Sequence, residues 1–122
     1  MKNCPQAKAC FSSRQYGEEC GVFGIALKEG STLSAAHSVY TALYTLQHRG
    51  QQTAGIASVD KGTFHLHKGP GLVPDVFGDK NLKTLTGPAA IGHVRYASGG
   101  DTATINAQPL VVTHASGSMA VC

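Results

Sequence analysis

The four cysteines of this 122-residue sequence include no Cys-x-x-Cys pair, so the usual spacing of a structural zinc site is missing. The opening MKNCPQAKACFSS has no apolar stretch of the kind that begins a secretory signal. No apolar run approaches membrane-spanning length. Neither a Gly-x-x-x-x-Gly-Lys-Ser/Thr phosphate loop nor a dinucleotide fingerprint occurs. Lys and Arg form no run and do not interleave with aromatics, so nothing points to nucleic acid. An even cysteine count is compatible with two disulfides, but without a secretory signal the reading is a soluble cytoplasmic protein with reduced thiols.

What is present fits one globular domain. The chain is 42% hydrophobic and only 14% charged, enough apolar material for a single core and too little charge for disorder. The net charge of +3 suits small anionic ligands as well as nothing in particular. Residues 1–17 are polar and aperiodic. Val22 to Leu27 reads as a strand. SAAHSVYTALYTLQHRG then takes helical spacing, with Val39, Leu43 and Leu46 on one stripe beside Ala36 and Ala42. Ser34 is placed to cap that helix and Gly50 to stop it, with His48 and Arg49 in its last turn. AGIASVD and TFHLHKG form an expected hairpin around Asp60-Lys61-Gly62. In its second strand His65 and His67 are assigned to a solvated face opposite Phe64 and Leu66. GPGLVPDVFG reads as a turn-rich segment with a short apolar island, AAIGHVRYA as a strand, and SGGDTATINAQ as a loop. PLVVTHA and SMAVC are two more strands. The sum is a strand-rich α+β domain with one clear helix.

Four stretches stand out as candidates for chemistry: Cys20 after two glutamates, LQHRGQQTAGIA, GLVPDVFG and AIGHVRYASGG. Each has a bland reading. A lone cysteine in a strand is often just a small buried apolar residue. A strand arginine such as Arg95 can simply snorkel to water.

Taken together and in this order, EECGVFGI, LQHRGQQTAGI, GLVPDVF, AIGHVRYA and NAQPL resemble the amidophosphoribosyltransferases, enzymes that begin purine synthesis. The resemblance runs from about Glu18 to Cys122. It implies an N-terminal nucleophile hydrolase fold, an αββα sandwich, here incomplete. It divides the chain into a leader or propeptide, 1–19, and the N-terminal portion of a type-2 glutamine amidotransferase domain, 20–122. By the same resemblance Cys20 is the catalytic nucleophile, exposed as the first residue once the bond after Glu19 is cut. Its thiolate attacks the side-chain amide of glutamine, releasing ammonia, and the freed α-amino group manages the proton. Arg95 grips the substrate α-carboxylate, Tyr96, Ser98 and Gln108 line the pocket, Arg49 supports the cysteine end, and Gly50 and Gly55 let backbone pass close by.

The resemblance also implies what lies elsewhere. In the family the strand ending at Cys122 runs into a His-Asn-Gly-Asn segment that supplies the oxyanion hole. A phosphoribosyltransferase half follows, with Mg2+ at its diphosphate site. No metal or cofactor is assigned to residues 1–122, and Cys4, Cys10 and Cys122 give no basis for an iron–sulfur cluster. Glutamine and phosphoribosyl pyrophosphate are the implied substrates, a homotetramer the implied assembly, and the 122 residues alone are expected to be inactive. Two alternatives stand beside this: a small non-catalytic domain, and another class II amidotransferase such as glucosamine-phosphate synthase.

Overall fold

The computed structural model describes residues 19–96 and 104–122. The expected leader, apart from Glu19, and the candidate Ser98 lie outside the described residues. Four antiparallel strands form the main sheet in the order β1-β4-β2-β3. They are β1 (Gly21–Ala26), β2 (Thr53–Asp60), β3 (Thr63–Pro70) and β4 (Ala89–Arg95). A two-stranded sheet, β5 (Leu110–His114) and β6 (Gly117–Val121), forms a second layer.

Helix α1 (Ala35–Thr45) covers one face of the main sheet. Its Ser34 side chain accepts the His37 N–H at 3.2 Å, satisfying one of the free donors of the first turn. Ala35, Ala36, Val39 and Leu43 make its inward stripe and are fully buried. Burying a side chain such as Val39 or Leu43 contributes about 1.5–3 kcal/mol. The strand residues beneath follow the two-residue period. Ala54 and Ile56 of β2 pair with Val94 and Gly92 of β4, and Phe23 of β1 completes the row. β2 lies between β4 and β3, so its first six residues are buried.

The opposite face of the main sheet meets the second layer. Lys68 Nζ donates to the carbonyls of Ala107 (2.6 Å) and Pro109 (3.4 Å), just ahead of β5. At the other end of the hairpin, Cys122 Sγ sits 3.8 Å from the Gly92 carbonyl. The outward face of the β5–β6 hairpin carries Leu110, Val112, Met119 and Val121, all exposed.

Three expectations need correction. The helix ends at Thr45, and Gln47–Arg49 is a turn of 3-10 helix that holds His48 and Arg49. Gly50 is not a left-handed stop, since its φ of −161° is extended. The second concerns β3. His67 faces the helical layer: its Nε2 lies 3.0 Å from both the Val76 carbonyl and the Asn81 amide, and its ring meets Phe77 edge-on. His65 shares that face, while Leu66 on the other is 41% exposed. The third is the GPGLVPDVFG segment, which folds as a helical turn, α2 (Val73–Val76), followed by α3 (Asp79–Thr84). Val73, Val76 and Phe77 are its buried anchors.

Candidate active site

Cys20 sits immediately before β1 with a φ of +62°, left-handed backbone that L-residues seldom adopt. Arg49 holds it from both sides. The Cys20 N–H donates to the Arg49 carbonyl at 2.9 Å, and Arg49 Nε donates back to the Cys20 carbonyl at 2.8 Å. The thiol lies at the end of β4, with Sγ 3.4 Å from the Tyr96 N–H and 3.7 Å from the Tyr96 carbonyl.

The turn that carries Arg49 is tied down by its neighbour. Gln47 Nε2 donates to the Gly50 carbonyl at 2.6 Å, and its Oε1 accepts the Val73 N–H at 2.6 Å. Gly50 then crosses the end of β4 so closely that a Cβ there would lie 2.7 Å from the Val94 and Arg95 carbonyl carbons. The requirement for glycine is therefore one of space. Gly55 is the same case on β2, where a Cβ would run into the Gln108 carbonyl.

Arg95 closes β4, opposite Thr53, and its carbonyl accepts the Gln52 N–H at 3.1 Å. The Tyr96 side chain is half exposed. Gln108 is held by its backbone against Gly55. Cys20 and Arg49 share a cleft of about 410 Å³ whose walls also include Val22, Leu46, His93 and Cys122. Arg95, Tyr96 and Gln108 are not part of that wall.

His93 and Cys122 were missed from the sequence. His93 is 7% exposed, and its Nδ1 is buried with no hydrogen-bond partner among the described residues. Burial first, and the Arg95 charge second, lower its pKa from the usual imidazole value, which keeps the ring neutral. Burial raises the Cys122 pKa, so that sulfur stays a thiol. One signal was available: His93 stands two residues before Arg95 in a strand, so both point to the same face. Among the described residues no group of three or more His, Cys, Asp or Glu could hold a metal ion. Nor is any helix among them long and apolar enough to cross a membrane.

A sheet faced by helices on one side and by a second sheet on the other, with a cysteine at the head of the first strand, is the N-terminal nucleophile fold of glutamine amidotransferase domains. The chain is homologous to the amidophosphoribosyltransferases. It is 46% identical over 102 residues to the Methanocaldococcus jannaschii amidophosphoribosyltransferase, covering 84% of this chain and 21% of that protein. The Mycobacterium leprae amidophosphoribosyltransferase is 46% identical over 121 residues, covering 97% of this chain and 21% of its own length. That alignment therefore extends into the residues before Cys20. The solved glutamine phosphoribosylpyrophosphate amidotransferase of Bacillus subtilis, complexed with ADP and GMP, matches with a TM-score of 0.69 and 43% identity. It covers 81% of this chain and 20% of that one. The chain thus spans about a fifth of the length of the relatives it matches. No family model matches it.

Proposed function

We propose that this sequence supplies the glutaminase chemistry of an amidophosphoribosyltransferase. Cys20 attacks the glutamine side-chain amide and forms a glutamyl thioester as ammonia leaves. A separate site of the whole enzyme passes that ammonia to phosphoribosyl pyrophosphate, giving phosphoribosylamine for purine synthesis. The observation that carries this reading is the clamp on Cys20, whose nitrogen and carbonyl are both bonded to Arg49 while its sulfur rests on the Tyr96 N–H beside an open cleft. Residues 1–19 act as a propeptide. Cutting the bond after the exposed Glu19 turns an amide nitrogen into an amine, and the hydrogen bond from the Cys20 nitrogen to the Arg49 carbonyl supports this reading. A free α-amine titrates near neutrality, at about 7.7–8.0, so it can accept and return the thiol proton.

Arg95, Tyr96, Ser98 and Gln108 belong in this proposal to the amino-acid end of the substrate, with Arg95 taking the α-carboxylate through its planar fork. The complete enzyme is a cytoplasmic homotetramer that binds Mg2+ with its diphosphate substrate and no nucleic acid.

The test is the mature N-terminus. Intact mass and N-terminal sequencing of the native polypeptide should show Cys20 as its first residue, and a glutamine-analogue electrophile should label Cys20 and no other cysteine. An active enzyme that keeps Met1 to Glu19, or a label on Cys122, would refute the assignment. A narrower expectation concerns the grip. Arg95→Lys should raise the KM for glutamine by the equivalent of about 1.5–3 kcal/mol, the worth of a charged hydrogen bond. An unchanged KM would leave Arg95 as a solvated strand residue.

A further inference from the structure

We propose that His93 positions the water molecule that clears the acyl group from Cys20, an inference that rests on the glutaminase reading above. The argument starts from the ring's two nitrogens. Nδ1 is sealed from solvent and has no partner among the described residues, and the ring keeps only 7% exposure, on a residue that lines the Cys20 cleft. A neutral imidazole carries one N–H and one bare nitrogen. A buried N–H without an acceptor is among the rarest unsatisfied groups in proteins, and a bare acceptor nitrogen is the cheaper one to leave alone. The proton therefore belongs on Nε2. Among the described residues that nitrogen has no hydrogen-bond partner, so its N–H is open to a molecule in the cleft that His93 lines.

Such a donor serves any ligand with a free lone pair. Val22, Leu46 and Cys122 make the wall beside His93 mostly apolar, the charged groups of the lining are Arg49 and Glu19, and the nearby Arg95 charge discourages a cation. His93 pairs across the sheet with Val22, two residues beyond Cys20, and so stands deeper along β4 than the Tyr96 amide that faces the sulfur. Water is small enough to stay there with the substrate bound. When the thioester breaks down, the water oxygen bonds to the acyl carbon and the C–S bond breaks. The thiolate of Cys20 leaves, and the proton lost by water passes through the α-amine to sulfur. His93 neither gains nor loses a proton. It holds the oxygen in place through Nε2–H.

The role is separable from general-base catalysis and from simple packing. Gln at position 93 can offer an amide N–H close to where Nε2–H stood, whereas Leu fills the space and offers none. In the native polypeptide carrying this sequence, His93→Leu should form the acyl-enzyme at the wild-type rate and then accumulate it, visible by intact mass after acid quench. Steady glutamate release should fall about 100-fold, the usual cost of misplacing a reactant by about 1 Å. Hydroxylamine, a stronger nucleophile that does not depend on the held water, should restore turnover, and His93→Gln should remain close to wild type. Wild-type turnover in His93→Leu overturns the inference. So does a His93→Leu protein that is slow to acylate, or a His93→Gln protein as impaired as Leu. A wild-type protein that never forms acyl-Cys20 overturns the glutaminase reading itself and this inference with it.

Discussion

Cys20→Ser should abolish ammonia release from glutamine while leaving synthesis from free ammonia intact. In the proposed function the nucleophile only makes ammonia and a different site uses it, so the two rates should part company. Serine keeps the size of the residue and meets the same left-handed backbone, with both Arg49 contacts preserved. What it loses is the ionisable sulfur. Removing the nucleophile of a hydrolase costs about 1,000-fold or more in turnover, so the glutamine-dependent rate should drop below detection. Both rates are to be measured on one preparation, with glutamine or ammonium salt as the nitrogen source. Parallel loss of the two would point to a folding defect, and normal glutamine turnover would remove Cys20 from the mechanism.

Gly55→Ala should be the most damaging single methyl among the glycines of the site. A Cβ at this position would occupy the space of the Gln108 carbonyl, which cannot simply withdraw. Lys68, the cross-strand partner of Gly55, holds the carbonyls on either side of Gln108, those of Ala107 and Pro109. The added methyl has to part the two sheets or shift β2 within a buried strand. Overpacking of this kind costs about 1–3 kcal/mol, and the upper end is expected because backbone meets backbone. Denaturant unfolding of the variant against the parent measures it. A stability change within error would mean that the second layer does not dock where Gly55 and Lys68 place it.

The clearest parts of the fold were those with a repeated pattern. The Ser34 cap and the apolar stripe from Ala36 to Leu43 define α1, the Asp60-Lys61-Gly62 turn marks the β2–β3 hairpin, and short apolar runs mark β1 and β4. The short helices were hidden because four and six residues are too few to display a 3.6-residue period, and Pro74 reads as a turn signal. The face of β3 was inverted for another reason. His67 looks polar, but it packs its ring on Phe77 and satisfies its nitrogen within the helical layer. Polarity in sequence does not say which side of a sheet is wet. At the site, Cys20 stood out through the motif around it, and Gly50 and Gly55 through the same resemblance. His93 did not, because what sets it apart is a buried ring nitrogen with no partner among the described residues, and a sequence records no missing partners. Cys122 joins the cleft only through the packing of β6 over Gly92.

The left-handed turn at Cys20 has a consequence for processing. A positive φ is unfavourable because the carbonyl of the preceding residue crowds the side chain, at about 1–2 kcal/mol per residue. That carbonyl belongs to Glu19. When the Glu19–Cys20 peptide is cut, the dihedral ceases to exist and the crowding goes with it. Arg49 bonds both the nitrogen and the carbonyl of Cys20 in the uncut chain, and both contacts could persist after the cut. On the proposed cleavage, the uncut junction is a loaded joint that cutting would relax.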